Sequence, residues 1–155
     1  DTYDVRETKR YLLILCDKVA WRLRRDGLFA RRVHAYVRYG NPSTFLKTGF
    51  SGVGQQRLFR EPTADGLILF KNAWQILKNL LDAEHPVRLV GISASELSHG
   101  PVHPSLFAKD QKLVRATGAL DHIQHRYGNG IWTRATLLTT KIKARSSGFH
   151  FDHEI

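Results

Sequence analysis

The chain has 155 residues, 42% of them hydrophobic, which excludes a disordered polymer and allows one domain with a core plus an appendage, or two very small domains. No apolar run approaches the roughly 18 residues of a membrane span, and the first residues given do not read as a charged-then-apolar signal peptide. Lysine and arginine total 24 against 14 aspartate and glutamate, for a formal charge of +10 and a pI near 10.1; this favours nucleic acid or an anionic membrane surface as partner without choosing between them.

The basic residues are spread over several segments, so the charge belongs to a folded surface and not to a polybasic tail. A single cysteine, Cys16, excludes an internal disulfide framework and fits a reducing, cytoplasmic setting. Asp4 with Glu7 three places on is a capping-box signature. From there to Arg25, Leu12, Leu15, Cys16, Val19, Ala20 and Leu23 form one amphipathic stripe, and Gly27 is placed to end the helix in a left-handed cap. Cys16 lies in the stripe, as a small core hydrophobe would. Lys18, Arg22, Arg24 and Arg25 gather in the last two turns, where the helix dipole accounts for part of the clustering.

Residues 31–39 alternate strictly: Val33, Ala35, Val37 and Tyr39 point one way, Arg32, His34, Tyr36 and Arg38 the other. That period of two predicts a strand with one buried face. Cations interleaved with flat rings on the other face suit a polyanion carrying sugars and bases; an ordinary solvated sheet face is the alternative. After a turn at Gly40-Asn41-Pro42-Ser43, residues 44–59 read as a second extended segment, bent or bulged at Gly49, Gly52 and Gly54. Its register is open, with Lys47, Thr48 and Arg57 as candidates for an exposed polar face.

Glu61-Pro62-Thr63-Ala64-Asp65 starts a second helix, whose stripe is Leu67, Phe70, Ala73, Trp74, Leu77, Leu80 and Leu81. Phe70 and Trp74 share that stripe and so read as core rather than a stacking platform. Pro86 stops it, and Val87 to Leu97 is a third strand in which Gly91, Ser93 and Ser95 share one face. The order helix, strand, strand, helix, strand is an α+β, ferredoxin-like split βαβ pattern lacking its opening strand. Two helices would cover one face of an antiparallel sheet, leaving Arg32, His34, Tyr36 and Arg38 on the open one. Beyond it come a loop, a third helix over residues 109–127 closed by Gly128, a short apolar-alternating piece at 131–138, and a basic tail. The expected division is residues 1–98 as the domain and 99–155 as a loop, helix and tail extension.

Four stretches, in order and at sensible spacing, resemble the C-terminal "little finger" domain of Y-family translesion DNA polymerases, the polymerase IV and UmuC-like group. They are Val19 to Arg24 running through Val37-Arg38-Tyr39; Glu61 to Asp65; Pro86-Val87-Arg88-Leu89-Val90-Gly91-Ile92-Ser93, the most specific; and Leu120-Asp121-His122-Ile123 with Arg126-Tyr127-Gly128. The resemblance implies a non-catalytic domain that lies in the DNA major groove and grips both backbones beside the primer–template junction. It places the metal-binding carboxylates, and the Mg they hold, in a parent polymerase ahead of this region. It also puts the family's opening strand before Asp1, so that the chain is a fragment or another segment completes the sheet. No cofactor is expected in these residues themselves.

The DNA-binding set is Arg32, His34, Tyr36, Arg38, Lys47, Thr48, Arg57, Arg88, Ser93 and Ser95, with Arg88 either lying along the strand edge or reaching the DNA. Mostly phosphate contacts are expected, hence little sequence preference. His103-Pro104-Ser105-Leu106-Phe107 falls where relatives carry a Gln-x-x-Leu-Phe sliding-clamp peptide. Leu106 and Phe107 would be its anchors; His103 and Pro104 depart from the pattern, and a loop end docking Leu106 and Phe107 on the domain is the alternative. An RNA-binding module of similar topology is a second reading, though the outer face offers Tyr36 alone as a clear stacking residue. A metal-dependent nuclease built on His150, Asp152, His153 and Glu154 is the enzymatic one. Otherwise no metal site is expected: zinc wants ligands on one face with cysteine or carboxylate help, and although His122 and His125 could share a helical face, solvated or DNA-facing histidines explain that pair and His99/His103 better.

Overall fold

The computed structural model describes residues 1–40, 52–99, 108–128 and 131–140. Lys47, Thr48, the segment His103, Leu106 and Phe107, and the group His150 to Glu154 lie outside the described residues. Contacts divide the chain into two compact units, residues 1–103 and 104–155.

The first unit runs α1 (Val5–Arg25), β1 (Leu28–Tyr39), β2 (Gly52–Thr63), α2 (Gly66–Leu80) and β3 (Val87–His99). Its strands make one antiparallel sheet in the order β2-β1-β3, so the arginine-bearing strand is central. Both helices lie on one face, α1 over β3 and β1, α2 over β1 and β2. This is the α+β arrangement expected from the order of elements. On the outer edge of β3, Thr2 forms an antiparallel bridge with Val87, the Thr2 amide donating to the Val87 carbonyl at 2.9 Å and the reverse bond at 2.7 Å.

Local chemistry explains each element. Asp4 caps α1 by accepting the Arg6 amide at 2.7 Å. Glu7 does not close a reciprocal box. The Asp4 amide donates to the Thr2 hydroxyl, which in turn donates to Glu7 at 2.7 Å, so the threonine relays the bond. Gly27, at φ 64°, ends the helix in the left-handed region. Asp65 caps α2 more fully, one carboxylate oxygen accepting from both Leu67 and Ile68 amides, an arrangement worth typically about 1 kcal/mol.

The core lies between sheet and helices: Leu12, Cys16, Ala20 and Leu23 of α1, Leu69, Ala73, Ile76 and Leu77 of α2, and Val33, Ala35, Val37 and Tyr39 of β1. Burial holds the Cys16 thiol well above its ordinary pKa, the charge of Asp17 adding to the effect. The α2 stripe differs from expectation. Leu69 and Ile76 are buried, whereas Leu67 stays only half-buried, because α2 is covered both by the sheet and by α1. At Gly66 a β-carbon would stand 2.5 Å from the Asp17 carboxylate, so the start of α2 presses on α1. Arg24 reaches across and donates to the Ala64 carbonyl at 2.8 Å. Strand β2 runs through Pro62 to Thr63, further than the sequence pattern implied; as an edge strand it tolerates a residue with no amide donor.

The second unit contains α3 (Ala108–Tyr127), followed by Gly128 at φ 94° and a short 3-10 turn at Ala135–Leu137. The apolar-alternating piece at 131–138 therefore holds irregular backbone followed by that 3-10 turn, with Leu137 the buried residue of the turn.

Candidate nucleic-acid interface

The sheet face turned away from the helices is laid out by the strand register. Tyr36 stands between Gly54 of β2 and Gly91 of β3; His34 between Gln56 and Ser93; Arg32 between Leu58 and Ser95; Arg38 between Gly52 and Leu89. The large, chemistry-bearing side chains thus occupy the central strand, and mostly small residues flank them. A ridge results: two guanidinium groups at its ends, two rings between.

The glycines shape the middle of that ridge. A β-carbon at Gly91 would overlap the ring of Tyr36, so the phenol lies across β3 in the space a side chain would fill. On the other side a β-carbon at Gly54 would come within 2.6 Å of the His34 ring. The two rings are 5.7 Å apart and only 20° from parallel. Gly91 is buried beneath Tyr36, while Tyr36 itself stays 37% exposed. At one end of the ridge Arg32 donates to Gln56 Oε1 at 3.0 Å and is ion-paired with Glu96.

Of the other expected residues, Ser93 and Ser95 are exposed on this face. Arg57 is not on it. Its register opposite Val33 puts it on the helix side, where it donates to Gln75 of α2. Sequence alternation alone left the register of this strand open, and a shift of one residue decides the face. Arg88 is exposed at the irregularity where β3 passes Arg38 and Tyr39, outside the four rows. Val90, Ile92 and Ala94 turn to the core. The residues not anticipated are Gln56, Leu58, Leu89 and Glu96. Leu89 follows from the period of two that also gives Gly91 and Ser93; Gln56 and Leu58 required the register. Among the described residues no group of three or more histidine, cysteine or acidic side chains is placed to hold a metal ion, and no helix is long and apolar enough to cross a membrane.

A two-helix layer on one face of a three-stranded antiparallel sheet, with a basic and aromatic ridge on the other, defines an α+β domain of the open-faced sheet class. The chain matches the impB/mucB/samB family C-terminal domain over residues 1–106 and belongs to that family, the little finger of Y-family polymerases. It is 28% identical over 148 residues to a DNA polymerase IV of Desulfatibacillum aliphaticivorans, covering 92% of this chain and 35% of the relative. A DNA polymerase IV of Pelotomaculum thermopropionicum is 29% identical over 154 residues, 99% of this chain and 36% of the relative. One from Dehalococcoides mccartyi is 25% identical over 117 residues, 75% of this chain and 28% of that protein. The chain thus spans about a third of the length of the curated relatives it matches.

Proposed function

We propose that residues 1–98 grip double-stranded primer–template DNA through the open sheet face, as the non-catalytic binding domain of a cytoplasmic translesion DNA polymerase acting in repair and damage tolerance. Residues 99–155 are the extension. The observation that carries this reading is the ridge Arg32-His34-Tyr36-Arg38 on the central strand. Arg32 and Arg38 are six residues apart, about 20 Å at the rise of an extended strand. The major groove is about 12 Å wide, with phosphates on both walls. Arginines at the two ends reach towards opposite walls, and the rings between them face the groove floor. Ser93 and Ser95 add hydroxyl donors beside the ridge. Contacts of this kind position a duplex without reading its sequence.

On this reading the nucleotidyl transfer and its Mg belong to the parent polymerase, and these residues carry no cofactor. The segment with His103, Leu106 and Phe107 is the proposed second contact, to a sliding clamp. The test is fluorescence anisotropy with a labelled primer–template duplex across a salt series. If about five phosphates are neutralised, log affinity falls with log salt at a slope near −4.5. Arg38→Ala is expected to weaken binding and flatten that slope by about 0.9. A slope near zero overturns the proposal. Stronger competition by single-stranded RNA favours the RNA-module reading instead, and metal-dependent nicking abolished by Asp152→Ala favours the nuclease.

A further inference from the structure

Arg32 differs from a simple phosphate-seeking arginine because its head is held from both sides. Nη1 donates to Gln56 of β2 at 3.0 Å, and Nη2 donates to the carboxylate of Glu96 of β3. The guanidinium is therefore fixed across three strands. Glu96 is also, among the described residues, the non-glycine residue with positive φ, at 54°. Side chains disfavour that conformation, and it persists where surrounding contacts over-determine it. Its neighbours Ser95 and Leu97 keep register with Arg32 and Ala30, so the ladder continues past the turned residue. Arg32 and Glu96 are 38% and 42% exposed, within reach of an approaching backbone.

To a guanidinium, a carboxylate is the chemical counterpart of a DNA phosphate: each presents two oxygens that share a negative charge and accept its N–H bonds in pairs. We propose that Glu96 sets the affinity of the DNA-binding face by occupying the Arg32 donors that a DNA phosphate would otherwise take. A bound duplex gains this contact only by displacing Glu96. The exposed ion pair is cheap to break, so the carboxylate weakens the grip at this end of the ridge without blocking it. This inference rests on the DNA-binding reading above.

The test compares the whole chain with Glu96→Gln, Arg32→Ala and the double variant, by anisotropy on the same duplex across a salt series. Glu96→Gln is expected to bind about fivefold tighter, with a salt slope steeper by about 0.9 as one more phosphate is neutralised. Both gains are expected to vanish when Arg32 is alanine. Glu96→Gly, which removes the carboxylate and suits the positive φ, is expected to reproduce the gain with its fold intact. A gain that persists unchanged in the Arg32→Ala background reports general repulsion of DNA and overturns the proposal. Weaker binding by Glu96→Gln makes Glu96 a support that positions Arg32, and also overturns it. In both cases the DNA reading survives. Absence of salt-dependent binding by every form overturns that reading and this inference with it.

Discussion

Gly91 is where a single missing carbon shapes the candidate interface. It sits beneath the Tyr36 ring, and an alanine methyl there would occupy the volume the ring now fills. Because Tyr36 is on the open face, the ring can swing outward instead of straining the core. Gly91→Ala is therefore expected to cost little stability, under about 1 kcal/mol, since alanine also suits a strand better than glycine. The ring would be displaced, breaking its near-parallel arrangement with His34. A thermal midpoint within a few degrees of wild type, together with changed Tyr36 and His34 ring resonances, checks this. A loss of stability well beyond that would mean the ring is anchored and the sheet backbone yields. The alternation of residues 31–39 made the ridge itself legible, because a period of two assigns faces without any partner strand. Glu96 was not legible. Its role depends on a turned backbone and on Arg32 lying across strands, neither of which the order of residues around it announces.

At the level of elements, helix and strand identities were legible because their apolar periods are long and their caps local: Asp4, Gly27 and Asp65 act where their sequence neighbours placed them. Properties arising between elements were not. The burial of Leu69 and Ile76 reflects the second helix packed beside α2, and the helix-side position of Arg57 reflects register. The turn between α2 and β3 carries a titratable support of the same local kind. The Glu84 amide donates to Asp82 at 2.9 Å, and His85 Nδ1 lies 2.7 Å from the other carboxylate oxygen. These bonds, the backbone one first, hold the Asp82 carboxyl below the usual aspartate range. A depressed folded-state pKa means the unfolded chain binds the proton more readily. The stabilisation is thus present above about pH 3.9 and is lost as pH falls through the folded value. In urea unfolding across pH, Asp82→Asn is expected to be less stable than wild type near neutrality. The gap should close in the acid range. A gap constant down to the lowest pH would mean that the charge of Asp82 contributes nothing.

For the whole molecule, the distribution of buried apolar side chains determines which residues can stand alone. The contiguous core runs from Leu12 to Val87 and draws on both helices and every strand of the first unit. Residues 104–155, where described, contribute α3 and a turn, with Leu137 their buried hydrophobic residue. A helix of about 20 residues with so little buried surface is marginal in water by itself. A chain of about 100 residues with a continuous core is of ordinary domain size. Residues 1–103, expressed alone, are therefore expected to unfold in one cooperative transition, with a midpoint within a few degrees of the intact chain. Residues 104–155 alone are expected to show weak, non-cooperative helical signal. Calorimetry and far-ultraviolet circular dichroism on the two pieces make the comparison. The DNA assay then separates stability from function. If the first piece keeps the salt slope of the full chain, the sheet face carries the electrostatic grip by itself. A flatter slope would assign part of the phosphate contact to residues beyond 103, where the basic segment at 141–145 supplies further cations.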